Sequence, residues 1–506
     1  MSPSVNQLKA GAALNYCIIL LNTIVGLLYT PYMLRTMGQS EYGLYSLVAS
    51  VISYLTILDL GMGNAIIRYT AKFQAEGKQE EQYEMFGMFF VLYLVIGFIA
   101  VGIGMGLYLN VDVMFGKTMT ALELDKARIM MLILIFNLAF SFPMSIFGSI
   151  MTAYERFVFP RIINIIRIIL NTVIMIVLLY YGYRAIAMVI VHTVFNVLTL
   201  VINYFYCRYR LHIKMYFRKF KWGFLKEVAI YSFWILLNVI MDRVYWSTGQ
   251  FVLGAVSGTI AVSIFAVAIQ LQSMYMQFSS AITTVFLPKV TAMVTKRSSD
   301  KELSNLFIRT GRIQYVVMCF ILSGFIVFGK SFIQLWAGNE YSESYIITLL
   351  FFFALLIPLI QNLGITILQA KNQMKFRSLL YIIIALIALL LEIVFAKIWG
   401  GVGCAIAIAG ALIVGQGIVM NIYYSRKQHI DIVSFWKEIL KMTILPAVIV
   451  AISFFVLQKI EINSWLSLGE GVLLFGIIYL PLFFFISMNQ TERKLFAEPI
   501  RRVFHR

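Results

Sequence analysis

The stretch LLNVIMDRVYWSTGQFVLG, residues 236–254, decides how the rest of the chain is read. Leu236, Leu237, Val239, Ile240 and Met241 lead into Asp242 and Arg243, and Tyr245, Trp246 and Gln250 follow before the chain turns apolar again. Its length and apolar content suit a membrane-spanning helix, which needs about 20 residues. A charge at the centre of such a helix costs at least ~2.5 kcal/mol on insertion scales. Neighbouring residues point apart on a helix, so Asp242 and Arg243 cannot neutralise each other. Each needs another partner: a carboxylate, water or a ligand phosphate.

Helical spacing sorts the polar groups into faces. Asn238, Asp242, Tyr245 and Gly249 fall at i, i+4, i+7 and i+11, one stripe of a helix. Arg243, Trp246, Ser247 and Gln250 lie about 100° around and form a second polar face. The same pattern recurs in other apolar segments. Gln270, Ser273, Gln277, Ser280 and Thr284 line one; Asn15, Asn22 and Tyr29 another; Asn164, Arg167 and Asn171 a third; His192, Asn196, Thr199 and Asn203 a fourth. A front this wide is expected to face a water-filled passage. The competing reading is interhelical glue, because Ser, Thr, Asn and Gln commonly hold membrane helices together.

Working outward, the whole chain has the same character. Of 506 residues, 61% are hydrophobic and only 13% charged, a balance that cannot cover a soluble globule but suits a polytopic membrane protein. Apolar runs recur from 10–34 to 466–488 and predict about fourteen spans. The first run is too long for the core of a cleavable signal peptide. The net charge of +18 is placed by topology. With a cytoplasmic amino terminus, the inner connections and tails hold about 31 Lys and Arg against about 8 outside, which sets both termini in the cytoplasm. The richest inner connections are 207–226 and 289–312, which are expected to lie along the interface and attract anionic lipid.

An internal repeat is visible at an offset of about 217 residues. ILLN recurs at 19–22 and 235–238, SIMTAYERF (149–157) matches ITILQAKNQM (365–374), and YRLHI (209–213) matches RKQHI (426–430). The expected organisation is a six-helix lobe (1–213), a basic interfacial linker (214–227), a second six-helix lobe (228–430), and two accessory helices with a basic tail (431–506). The fold class is therefore an all-α integral membrane protein, with two repeated lobes around a central cavity.

Candidate functional residues follow from the cost of charge in the bilayer. Arg243 and Arg167 cannot escape desolvation by losing a proton, and Arg35 closes the first span on the outer side. With Asn22, Asn238, Tyr245, Trp246, Gln250, Gln270 and Gln277 they form the candidate substrate site. Guanidinium suits phosphate through its two-pronged donor geometry, while amides and flat aromatic rings suit sugars. Asp59, Asp242, Glu392 and His192 are candidates for ion coupling. The four cysteines are scattered, and no metal-ligand spacing, nucleophile motif or nucleotide-binding loop is present, so no cofactor and no enzymatic chemistry are expected.

The stretch 27–73 resembles the opening of the polysaccharide transporters, the Wzx-type flippases of the multidrug/oligosaccharidyl-lipid/polysaccharide exporter superfamily. The resemblance rests on P-x-x-L-R-x-M-G (31–38), E-Y-G-L-Y (41–45) and D-L-G-M-G-N (59–64) followed by Arg68, with 242–254 and TAYERF (152–157) also similar. It implies flipping of an undecaprenyl-pyrophosphate-linked oligosaccharide (an O-antigen, lipopolysaccharide, capsule or exopolysaccharide unit) across the bacterial inner membrane. It further implies membrane lipids, a glycan polymerase and chain-length machinery as partners, without nucleic acid. The alternatives are a cation-coupled drug antiporter of the same superfamily and a membrane glycan polymerase or transferase.

Overall fold

A computed structural model describes residues 5–217, 222–295, 299–371, 373–457, 462–490 and 492–494. Among these residues helices and their short connections make up the chain, with no strand. The first helices are α1 (Val5–Met37), α2 (Gln39–Leu55), α3 (Met62–Ala75), α4 (Gln79–Leu109), α5 (Val111–Phe115), α6 (Ala121–Ala153), α7 (Val158–Tyr180) and α8 (Ala185–Phe205). They continue with α9 (Trp222–Val256), α10 (Gly258–Thr295), α11 (Asp300–Trp336), α12 (Ser344–Ile360), α13 (Asn362–Ala370) and α14 (Met374–Leu412). The last are α15 (Met420–Gln428), α16 (Ile432–Leu457) and α17 (Trp465–Leu482).

Twelve helices among the described residues are long and apolar enough to cross a membrane. One of these runs 55 residues, Met374–Gln428, and would be about 80 Å long if straight, far more than one crossing needs. It is broken at Trp399 and Gly400, whose backbone leaves the helical region, so it supplies two passes. The 35-residue α9 carries the span from which the reading began. Large apolar side chains such as Phe98, Phe136, Leu390, Phe455 and Ile477 stand exposed, as a lipid-facing surface requires.

The chain forms two compact units. One comprises Met1–Ala266 with Ala396–Gly401; the other comprises Val267–Phe395 with Val402–Arg506. This division falls inside α10, because α9 packs against α2, α3 and α5. In the first unit α4 packs on α6, α6 on α8, and α1 on α7, around a core that includes Ile66, Phe86, Phe89, Tyr93 and Ile146. In the second unit α11 packs on α12, α16 and α17. Leu306 and Phe307 belong to its buried core beside Leu363, Tyr424 and Phe435. Leu303, Leu306 and Phe307 of the 289–312 connection, expected along the lipid interface, are therefore packed inside the protein, because α11 starts early at the Ser299–Glu302 capping box.

The three sequence elements that carry the family resemblance are structural devices. Gly38 sits at φ 79 and turns the chain between α1 and α2. Buried Glu41 pairs with Lys126 of α6, and Gly43 brings α2 against the start of α10, where an added Cβ would lie 1.8 Å from the Thr259 carbonyl oxygen. The D-L-G element breaks the second span: Thr56–Asp59 is a tight turn, and Leu60 and Gly61 are left-handed at φ 53 and 67. At the start of α6 Glu123 closes a capping box with Thr120 and accepts hydrogen bonds from Ser40 (2.6 Å) and Thr259 (2.8 Å), tying together α2, α6 and α10.

Candidate substrate-binding site

In the first unit the polar stripe of α7 holds Arg167. Its Nη2 donates to Asn164 Oδ1 at 2.8 Å, one turn earlier on the same face. The guanidinium is half-buried and forms no ion pair among the described residues. Asn171, four residues on, has a buried Oδ1 with no donor. His192 on α8 is exposed and lies within electrostatic range of Arg167, so the packing of α7 on α8 brings these two candidates together.

On α9 the two polar faces behave differently. Arg243 is half-buried, has no ion pair among the described residues, and its Nε is buried without an acceptor. Asp242 is exposed and Gln250 half-buried. Tyr245 is buried with its ring 6.3 Å from that of half-buried Trp246. One turn beyond Arg243, however, Ser247 accepts from Ser53 at 2.9 Å, and Thr248 bonds the Tyr54 hydroxyl. Part of the expected lumen front is thus committed to α2–α9 packing. Asn196 likewise donates to Asn137 Oδ1 (2.7 Å) and Ser141 (2.8 Å), joining α8 to α6. The side chain of Asn238 lies outside the described residues. Asn22 and Arg35 are exposed on α1.

Asp59 is held at the break of the second span. It accepts from the Tyr93 hydroxyl at 2.9 Å and from the Gly61 amide, so its carboxylate braces a discontinuous helix. Such breaks within a span are a recurrent feature of transporter binding regions.

In the second unit Gln270 is half-buried and Gln277 exposed. Glu392 on α14 is fully buried, and among the described residues neither carboxylate oxygen has a hydrogen-bond partner. An apolar cavity of about 270 Å³ opens between α10, α11, α12 and α17, lined by Phe278, Phe320, Phe328, Phe352 and Phe475 among others. No charged side chain lines it, so a hydrocarbon chain is the guest it suits. Among the described residues, no group of three His, Cys, Asp or Glu side chains is arranged to hold a metal.

Two buried arginines escaped the reading of the sequence. Arg312 joins α11 to Glu438 on α16 and to Glu492 near the carboxyl end. Arg377, at the start of α14, lies over the Tyr381 ring at 4.5 Å and is buried. Arg312 closes the basic 289–312 connection and Arg377 follows Lys371 and Lys375, where nothing local separates a buried cation from a solvated one.

Residues 32–346 match the family described as polysaccharide biosynthesis protein. The chain belongs to that family. A curated relative, the uncharacterized membrane protein EpsK of Bacillus subtilis strain 168, is 20% identical across 96% of this chain and 97% of its own length. Among solved structures, the lipid II flippase MurJ in an inward closed conformation aligns with TM-score 0.70 and 16% identity, covering 93% of this chain and 99% of that one. An inward-facing multidrug resistance MATE family transporter aligns with TM-score 0.60 and 14% identity, covering 83% of this chain and 99% of that one. These similarities place the family member in the fold of multi-pass membrane flippases and transporters. Its fourteen expected passes compare with the twelve helices identified among the described residues.

Proposed function

We propose that this protein flips an undecaprenyl-pyrophosphate-linked oligosaccharide from the cytoplasmic to the outer leaflet of a bacterial inner membrane by alternating access, with both termini cytoplasmic. One observation carries the reading: Arg167 and Arg243 are half-buried on the long helices α7 and α9, and neither is ion-paired among the described residues. A guanidinium keeps its charge, so it needs water or an anionic ligand. Pyrophosphate supplies that ligand, and Asn164, Trp246 and Gln250 on the same helices, with His192 on neighbouring α8, suit a glycan. A glycan polymerase and chain-length machinery would consume the delivered unit. The fold likeness to a lipid II flippase supports a lipid-linked cargo.

The test is complementation of a strain lacking the gene, scored as lipid-linked glycan reaching the outer leaflet. Losing one charge-assisted hydrogen bond of ~1.5–3 kcal/mol predicts a drop of about 10- to 150-fold for Arg167→Gln or Arg243→Gln at unchanged protein level. Exposed Arg309→Gln should leave transport intact. Wild-type transport by the Arg167→Gln/Arg243→Gln double variant would sink the proposal. The fully buried, unpartnered Glu392 favours a second reading, a cation-coupled drug antiporter. On that reading the arginine variants keep full efflux of cationic drugs and Glu392→Gln abolishes it.

A further inference from the structure

After α8 the chain unwinds through a π-turn at Tyr206–Arg210 and then runs without helix through Leu211–Phe217. This strap is firmly placed. Tyr206 stacks on Phe159 with ring centroids 4.0 Å apart, and buried Cys207 donates its thiol to the Phe147 carbonyl at 3.4 Å. The Tyr216 amide donates to the Tyr83 carbonyl at 3.0 Å, and a Cβ on Gly87 would stand 2.2 Å from the Tyr216 carbonyl oxygen. The backbone of the strap therefore lies directly on α4.

Between strap and helices is a cavity of about 610 Å³. Its apolar wall is built by Phe90 of α4, Met144 and Phe147 of α6, and Phe217 of the strap. Its charged groups are Arg208 and Lys214, both exposed and neither ion-paired among the described residues. Among the described residues no carboxylate lines it. An apolar wall beside two cations, at the basic end of the spans, is complementary to an anionic amphiphile. The volume lies within the usual range for a ligand site, about 300–1,000 Å³.

We infer that this cavity is a binding site for an anionic phospholipid of the cytoplasmic leaflet, with the phosphate held by Arg208 and Lys214 and an acyl chain along Phe90, Met144, Phe147 and Phe217. The inference rests on the orientation proposed above but not on the identity of the cargo. It differs from general attraction of a basic surface, because among the described cations of the 207–226 connection Arg208 and Lys214 line the cavity while Arg210 and Lys226 do not.

The experiment titrates the purified full chain in detergent with dioctanoyl phosphatidylglycerol, using native mass spectrometry. Phosphatidylethanolamine of the same chain length is the zwitterionic comparison. Each surface cation contributes a factor of about 5, so Arg208→Gln/Lys214→Gln should weaken phosphatidylglycerol binding about 30-fold and abolish the preference over phosphatidylethanolamine. The conservative Arg208→Lys/Lys214→Arg pair should retain binding. Arg210→Gln/Lys226→Gln changes two exposed cations of the same connection that do not line the cavity, and should bind as wild type. Equal loss in both glutamine pairs, or loss in neither, would overturn the assignment. So would preferential capture of decaprenyl pyrophosphate, which would make the cavity a cargo site. Glycan flipping is scored separately, so failure here leaves the transport proposal standing.

Discussion

Replacing Arg312 tests the packing of the second unit most sharply. Its side chain is 6% exposed and donates to Glu492 Oε1 (2.6 Å) and Oε2 (2.9 Å), Glu438 Oε2 (2.7 Å) and the Ser487 carbonyl (3.2 Å). In Arg312→Met, Glu438 keeps Lys441 at 2.7 Å and partial exposure. Glu492, 1% exposed, keeps only the Asn489 donors at 2.9 and 3.1 Å. Removing one partner of a buried ion pair costs about 3–5 kcal/mol, and the Asn489 donors place this case near 3. For a unit of about 230 residues that is a fall of about 6–12 °C in apparent Tm. The assay is tryptophan fluorescence melting in one detergent at one scan rate, since unfolding of such proteins is commonly irreversible. Arg312→Met/Glu492→Met removes both buried charges and should recover most of the loss. A single variant melting within about 2 °C of wild type, or a double variant falling by the sum of the singles, would refute the reasoning.

Gly43→Ala forces a Cβ into the Thr259 carbonyl and should cost about 1–3 kcal/mol, whereas Gly106→Ala meets nothing within 4 Å and should melt no lower than wild type. Asn196→Leu removes two interhelical hydrogen bonds; thermal melting should register a loss of about 0.6–1.7 kcal/mol, with glycan flipping unchanged. Glu392→Gln should melt at or above wild type, because no donor faces either oxygen; a clear fall would reveal a partner for the carboxylate. Asp431 caps α16, and hydrogen bonds from the Ser434 side chain and amide hold its carboxyl below the ordinary carboxylate range. A folded-state value below the unfolded one stabilises above the ordinary carboxylate pKa, and that stability is lost as pH falls; Asp431→Asn should flatten this part of a Tm–pH profile.

The spans were legible because lipid imposes a length and an apolar composition that few other structures share. Helices α7 (Val158–Tyr180) and α8 (Ala185–Phe205), for instance, are each about one crossing long. The Asp59–Gly61 break was written in the sequence only as a glycine-rich element, since a left-handed Leu60 carries no composition signal. The fate of each polar side chain was less accessible. Ser247 and Arg243 share a face of α9, and helical spacing treats them alike. Whether Ser247 meets Ser53 or water depends on where α2 lies, a relation between residues 194 positions apart. Arg312 was obscured for a related reason: its partners lie 126 and 180 residues away, on segments that read as ordinary inner connection and tail.

Three arginines differ in how the fold meets their charge. Arg312 is almost fully buried, and two carboxylates offset its desolvation, so its charge is accounted for inside the fold. Arg167 has an asparagine in place of a carboxylate, and Arg243 keeps a buried Nε with no acceptor. A lysine could shed its proton under such conditions, but a guanidinium cannot. The remaining desolvation cost must be met by water or by an anion that visits the helices, which is a condition for a path that carries a charged head group. Scaffold arginines should thus alter melting and leave a transport assay sensitive only to protein level, while Arg167 and Arg243 should do the reverse.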